Sequence, residues 1–174
     1  PLPAMNGAHQ PENAALAIAM LRQQDRVPVS DGAIARGIED ARWLARLQYF
    51  GDVGDFDLCE RHEIWLDGGH NSDAAKVIAS FFAGERAHLV IGMIENKDPA
   101  GFLATLGDVP ASVTVVPVPG HEHHAPEAFG PDARAAASVT DALAALPDDG
   151  LPVLIAGSLY LAGEVLKLSG VLPD

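Results

Sequence analysis

Residues 64–75, IWLDGGHNSDAA, run from a buried strand through an acidic, glycine-rich turn into a helix. The apolar residues from Ile64 to Leu66 form the strand, and Asp67 closes it. Gly68 and Gly69 let the backbone approach a ligand. His70 and Asn71 then sit where an open α/β sheet keeps its binding crevice, outside the carboxyl ends of its strands. Asn71 or Ser72 supplies the cap of the following helix. This order commits the surrounding chain to layers of strand and helix.

The same alternation continues from about residue 46 onward. Strands are expected at 47–50, 63–67, 88–93, 112–118, 135–137 and 152–156, and helices at 72–82, 99–106, 140–146 and 159–168. The strands at 88–93 and 152–156 are almost continuously apolar, as when both sheet faces are covered. The fold class is therefore α/β, with a Rossmann-like, mostly parallel sheet of about six strands and helices on both faces. The first part differs. Residues 13–24 (NAALAIAMLRQQ) form an alanine- and leucine-rich helix after Pro11, and its stripe reads as core packing. Residues 32–42 form a second helix after Ser30-Asp31. Two helices make no stable domain alone. Residues 1–44 therefore read as the tail of a larger upstream unit, and residues 45–174 as the sheet domain. Residues 51–57 (GDVGDFD) read as a polar turn.

Composition excludes several classes. With 11 basic and 24 acidic residues the net charge is −13. That balance disfavours binding to nucleic acid or an anionic membrane through a broad electrostatic surface. No apolar run approaches the roughly 18 residues of a membrane span. The single cysteine, Cys59, permits no internal disulfide and suits a reducing cytoplasm. Neither G-x-x-x-x-G-K-[ST] nor a clear G-x-G-x-x-G is present.

Four strand ends carry polar or glycine-rich turns: 67–71, 92–98, 119–121 and 157–160. In a parallel sheet they fall on one edge. Taken in order, the motifs LDGGHNSDAA (66–75), IGMIENKD (91–98) and AGSLYLAGEV (156–165), with GAHQPENAALAIA (7–19) upstream, resemble the C-terminal part of Mur ligase superfamily enzymes. The folylpolyglutamate synthase/dihydrofolate synthase branch resembles them most. Residues 7–19 match the end of that family's central ATP-binding domain, and Ala45-Arg46-Leu47-Gln48 match the start of its C-terminal domain.

The resemblance implies an ATP-dependent amide ligase that adds L-glutamate to dihydropteroate or a folate through an acyl phosphate. The cofactors are ATP and Mg2+, with the magnesium ligands mainly upstream. The resemblance places nucleotide contacts at Asn13, Arg46 and Asp67. Asn13 would hold the adenine or a neighbouring group. Arg46 would meet phosphate oxygens. Asp67 would accept from ribose hydroxyls or orient Arg46. His70 and Ser158 fall on the glutamate and transfer side, with Asn71 and Tyr160 as weaker candidates. Ala45 and Gly69 replace the family's more usual Gly and Ala. A basic residue is expected where this chain has His121-Glu122-His123-His124. The stretch between Arg46 and Asp67 is long, as for an enlarged hairpin. The P-loop and its lysine are missing, so the chain is expected not to turn over without its upstream ATPase part. Partners are therefore small molecules and that missing domain.

Plainer readings exist for each residue. Asp67, Asn13 and Ser158 are all suited to capping helices. His70 also suits a plain turn histidine, and Arg46 a surface ion pair. Lys97 and Asp98 suit a loop ion pair and a cap. Adjacent loop histidines lack a firm metal-ligand geometry, and no metal site is assigned to them. A stand-alone Rossmann-like nucleotide-binding module, or a piece of a cell-wall Mur ligase, are the alternatives to a folate ligase.

Overall fold

The computed structural model describes residues 2–7, 9–50 and 61–170. The expected turn at 51–57, the enlarged hairpin and Cys59 lie outside the described residues. The chain divides into two compact units, Pro1–Leu44 and Ala45–Asp174.

The first unit holds α1 (Gln10–Gln23) and α2 (Asp31–Asp40). Pro11 opens α1, where its missing N–H removes nothing. Ser30 caps α2 by accepting from Ala33 N at 3.2 Å. The Gln24 side chain braces the connection, accepting from Val27 N at 2.9 Å and donating to Val27 O at 2.7 Å. Ala14 and Ile18 of α1 face Ile34 and Ile38 of α2 across an apolar groove of about 340 Å³. The rest of the α1 stripe is not core among the described residues. Leu16 and Met20 are 63% and 65% exposed. The stripe is apolar nearly all round, and one neighbouring helix can cover only one side of it.

Among its described residues, the second unit is a six-stranded sheet in the order β1-β2-β6-β3-β4-β5. The strands are β1 (Gln48–Tyr49), β2 (Ile64–Leu66), β3 (Ala87–Ile91), β4 (Pro110–Val115), β5 (Arg134–Ala135) and β6 (Val153–Ala156). β1 pairs antiparallel with β2, and every other pairing is parallel. The helices are α3 (Ser72–Phe82), α4 (Pro99–Leu106), α5 (Val139–Ala144) and α6 (Leu159–Leu168), with a 3₁₀ turn at Pro126–Phe129. β4 is shorter than the expected 112–118 because Pro117 and Pro119 lack the N–H a ladder needs. The α5 helix starts at Val139 because Ser138 caps it, accepting from Asp141 N at 3.0 Å.

The connections from β2 to β3 and from β3 to β4 run through α3 and α4, and β5 returns to β6 through α5. The helices α3 and α4 accordingly pack together. Leu89, Ile91, Val115, Leu154 and Ala156 share a core with Ile78, Phe82 and Phe102 of these helices. Alternation sends Ile64, Leu66, Val90, Val153 and Ile155 to the opposite face. All five are buried there. Edge strand β1 is fastened by stacking, with Tyr49 5.0 Å from Trp65 and Trp65 4.6 Å from Phe81. No helix among the described residues is long and apolar enough to cross a membrane.

Two details give testable stabilities. Ala83 ends α3 in the left-handed conformation, at φ 49, and is exposed. Glycine there relieves the Cβ conflict without losing buried surface. Ala83→Gly should raise stability by about 0.5–1 kcal/mol, net of glycine's greater chain entropy. A fall in the urea midpoint would contradict this.

Asp149, before β6, accepts from Leu151 N at 3.1 Å and faces His88 Nε2 at 3.2 Å. The Leu151 amide first, and then His88, hold its carboxyl below the ordinary aspartate range. A depressed folded value means the stabilisation is complete above the unfolded value, near 3.9, and is lost as pH falls through the folded one. The stability gap between the wild type and Asp149→Asn should therefore be constant near neutrality and narrow below about pH 4. A gap that widens on acidification would contradict this.

Candidate functional site

Because β2, β6, β3 and β4 run parallel, the turns that follow them share one sheet edge. The polypeptide leaves β2 and β3 for one face of the sheet, while β6, between them, leads into α6. Such a switch opens a crevice at the strand ends.

The turn after β2 is organised by Asp67, which is 6% exposed. Its Oδ1 accepts from Gly69 N at 2.6 Å and its Oδ2 from Leu47 N at 2.9 Å. Gly68 N donates to Ala45 O at 2.9 Å. Asp67 thus ties its own turn to the segment entering β1. Capping a helix is not its work: Asn71 caps α3, accepting from Ala74 N at 2.9 Å.

Arg46 lies between two residues in the left-handed region, Ala45 at φ 56 and Leu47 at φ 43. Both are buried. A non-glycine residue held there costs roughly 1–2 kcal/mol, so the surroundings must impose it. The grip of Asp67 on Leu47 N and of Ala45 O on Gly68 N does so. The replacement of a more usual glycine by Ala45 is therefore a strained substitution, although both residues are small. Arg46 donates to Ala45 O at 3.1 Å and forms no ion pair among the described residues. The expected alternative of an ordinary surface ion pair does not hold there. Several of its donors remain for an anion.

The two glycines are required by packing. A Cβ on Gly68 would strike the Leu159 side chain and come within 3.2 Å of Arg46 Nη1. A Cβ on Gly69 would lie 2.6 Å from Ala74 Cβ and 2.7 Å from Asp67 Oδ1. The space is filled by the chain's own turns.

His70 Nδ1 lies 3.2 Å from Gly68 O. A carbonyl only accepts, so Nδ1 carries the proton and Nε2 of the neutral ring is left as an acceptor. In the turn after β6, Gly157 N donates to Gly69 O at 2.9 Å, joining the two turns directly. Ser158 is 5% exposed and caps α6, accepting from Tyr160 N at 3.1 Å. The expected capping role is present, and the hydroxyl proton remains for a further acceptor.

The turn after β4 reaches across the turn after β3. His124 N donates to Met93 O at 2.9 Å, and His124 Nε2 to Lys97 O at 3.0 Å. His123 Nδ1 is 3.3 Å from His121 O. His121 stacks on the exposed Tyr160, ring centroids 3.9 Å apart. The histidines fasten loops, and no group of three or more His, Cys, Asp or Glu among the described residues could hold a metal ion. Asp98 caps α4, accepting from Gly101 N at 3.0 Å.

Arg46, Asp67, His70 and Ser158 are therefore brought to one edge. Asn13 is in the other unit. It lies inside α1, not at its cap, and donates to Gln10 Oε1 at 3.3 Å on the wall of the apolar groove. The left-handed flanks of Arg46 and the stacking of His121 on Tyr160 have no counterpart in the sequence reading. The two small residues at 45 and 69 were the available signal for the first.

No protein-family model matches the chain. The chain is 32% identical over 174 residues to a probable bifunctional folylpolyglutamate synthase/dihydropteroate synthase of Haloferax volcanii, covering 91% of this chain and 19% of that protein. Its fold is similar to Mycobacterium tuberculosis folylpolyglutamate synthase complexed with ADP and AMPPCP. There the TM-score is 0.77 and the identity 26%, over 99% of this chain and 42% of that one. It is also similar to a bifunctional folylpolyglutamate synthase/dihydrofolate synthase with Mn, AMPPNP and L-glutamate bound, at TM-score 0.76 and 26% identity, over 97% of this chain and 40% of that one. The chain is homologous to the C-terminal part of folylpolyglutamate synthases. It spans about a fifth of the curated relative's length and about two fifths of the solved chains.

Proposed function

We propose that this chain is the C-terminal part of an ATP-dependent ligase that joins L-glutamate to dihydropteroate, to folates or to both. The observation that carries this reading is the direct bonding of three segments at one edge: Asp67 to Leu47, Gly68 to Ala45, and Gly157 to Gly69. These bonds hold the Arg46 guanidinium, which has no ion-pair partner among the described residues, with an imidazole acceptor and a hydroxyl donor around one crevice. The nucleotide and glutamate bound by the related structures support ATP and L-glutamate as ligands.

In this reading the γ-phosphate of ATP activates a carboxylate as an acyl phosphate. The glutamate amine attacks it, and phosphate leaves from the tetrahedral intermediate. Arg46 offsets phosphate charge, where its planar fork suits paired oxygens. Asp67 positions Arg46 through the backbone of Leu47. His70 Nε2 accepts from the incoming amine, and the Ser158 hydroxyl donates to a carboxylate of glutamate. Asn13 meets the adenine side. Magnesium, when bound with the nucleotide, supplies further neutralisation of phosphate charge, and its ligands belong mainly to the missing upstream domain. That domain is the principal protein partner, and the cytoplasm is the compartment.

The reading is tested by phosphate release from Mg-ATP with dihydropteroate and L-glutamate. The chain alone should be silent. Mixed with the upstream ATPase part it should release phosphate only when both other substrates are present. Turnover by the chain alone would overturn the proposal.

A further inference from the structure

Far from the glycine-rich turns, at the amino-terminal end of the parallel strands, three side chains form a relay that the ligase reading does not use. His88 of β3 is 4% exposed. It is the register partner of Ser112 in β4, so both side chains project from the same sheet face. His88 Nδ1 lies 2.7 Å from Ser112 Oγ, and Nε2 lies 3.2 Å from each carboxylate oxygen of Asp149. A carboxylate only accepts, so Nε2 carries the proton. In the neutral ring Nδ1 is then a lone pair that accepts the Ser112 hydroxyl proton. Asp149 is itself oriented by Leu151 N at 3.1 Å.

The serine is reachable. β5 pairs with β4 only at Thr114 and Val115, which leaves the earlier part of β4 with one neighbour. A pocket of about 760 Å³ lies along that uncovered stretch, and Ser112, Thr114, Arg134, His88 and Ala142 contribute to its wall. Arg134 pairs with Thr114, one row along the same face as Ser112. It is exposed and forms no ion pair among the described residues. A nucleophile, its base and a cation for a developing oxyanion therefore line one pocket, and Asp149 orients the base from behind it.

We propose that Ser112 is an activated nucleophile that accepts acyl groups from small carboxylic esters in this pocket. Ser112 Oγ bonds to the carbonyl carbon as its proton passes to His88 Nδ1. The ester C–O bond then breaks, and the leaving alcohol takes that proton. Water next attacks the acyl-serine, giving a proton to Nδ1. The Oγ–acyl bond breaks, the carboxylic acid leaves, and the proton returns to Oγ. Asp149 acts as a positioning residue.

The test is covalent labelling of the intact chain with an alkyl fluorophosphonate, followed by peptide mass spectrometry. Oγ displaces fluoride, and the serine proton goes to His88. The exposed Ser72 and Ser80 of the same chain are internal standards for unactivated hydroxyls. General-base activation predicts labelling of Ser112 about 100-fold faster than at either. Asp149→Asn, at an exposed site, should slow Ser112 labelling about tenfold or more with the labelling of Ser72 and Ser80 unchanged. Hydrolysis of p-nitrophenyl acetate should fall to background in Ser112→Ala. Labelling of Ser112 no faster than Ser72 and Ser80 in the folded wild type would overturn the proposal, as would Asp149→Asn labelling at the wild-type rate.

Discussion

Gly157→Ala is expected to lower the melting temperature by about 10 °C, the equivalent of roughly 3 kcal/mol in a domain of this size. Gly157 sits at φ 104, a region that L side chains rarely adopt. A Cβ there would lie 2.7 Å from Gly92 O and 2.7 Å from Ile91 Cγ1. The carbonyl cannot simply retreat. Gly92 N donates to Ala156 O at 3.2 Å, and Ile91 is the register partner of Ala156. Relief must therefore come from parting β3 and β6, the central pair of the sheet. The positive-φ conflict contributes about 1–2 kcal/mol and the overpacking about 1–3. The same movement stretches the bond from Gly157 N to Gly69 O, so the variant should lose the crevice as well as stability. A melting temperature within about 1 °C of wild type would contradict the packing described for this turn.

Asp67→Ala should cost about 3 kcal/mol or more. Two backbone donors, Leu47 N and Gly69 N, lose a charged acceptor in a site where Asp67 is 6% exposed. Each charge-assisted bond contributes about 1.5–3 kcal/mol, and water recovers part of it after the truncation. Asp67→Asn keeps the shape, but its amide NH₂ turns a donor toward one of the two N–H groups. It should therefore destabilise by about half as much. Hydrogen exchange gives the specific readout. The amides of Leu47 and Gly69 should lose protection in both variants, ahead of the β3 and β6 amides. Unchanged protection at Leu47 would mean that the carboxylate does not hold the Arg46 segment.

Much of this fold was legible because its signals are local. The helices 72–82, 99–106 and 159–168 have the bounds their caps indicate, with Asn71, Asp98 and Ser158 each accepting from a first-turn amide. The doubly covered strands announced themselves by continuous apolar runs. Strand ends were less legible. β4 and β5 are trimmed by proline and by what pairs beside them, and both are tertiary matters. At the site, strand direction alone predicted that the four strand-end turns would share one edge. Which atoms would meet was not predictable. That Gly68 makes room for Leu159 and Arg46, and that Ala45 and Leu47 are left-handed, depends on contacts between segments about twenty residues apart or more. The helical stripe of α1 shows a different limit. An apolar pattern states that a face should be covered, but not by what.

The most direct test of the central claim is the product of the reconstituted reaction. The chain is combined with the upstream ATPase part, Mg-ATP, L-glutamate and dihydropteroate or a folate, and the acceptor is analysed by mass spectrometry. The account predicts an acceptor heavier by one glutamyl residue, absent without either protein part. In Arg46→Ala it should be reduced about 100-fold or more, on the scale of losing one charge-stabilising donor. Wild-type product yield from Arg46→Ala, or no glutamylated acceptor from a folded and complete mixture, would contradict it.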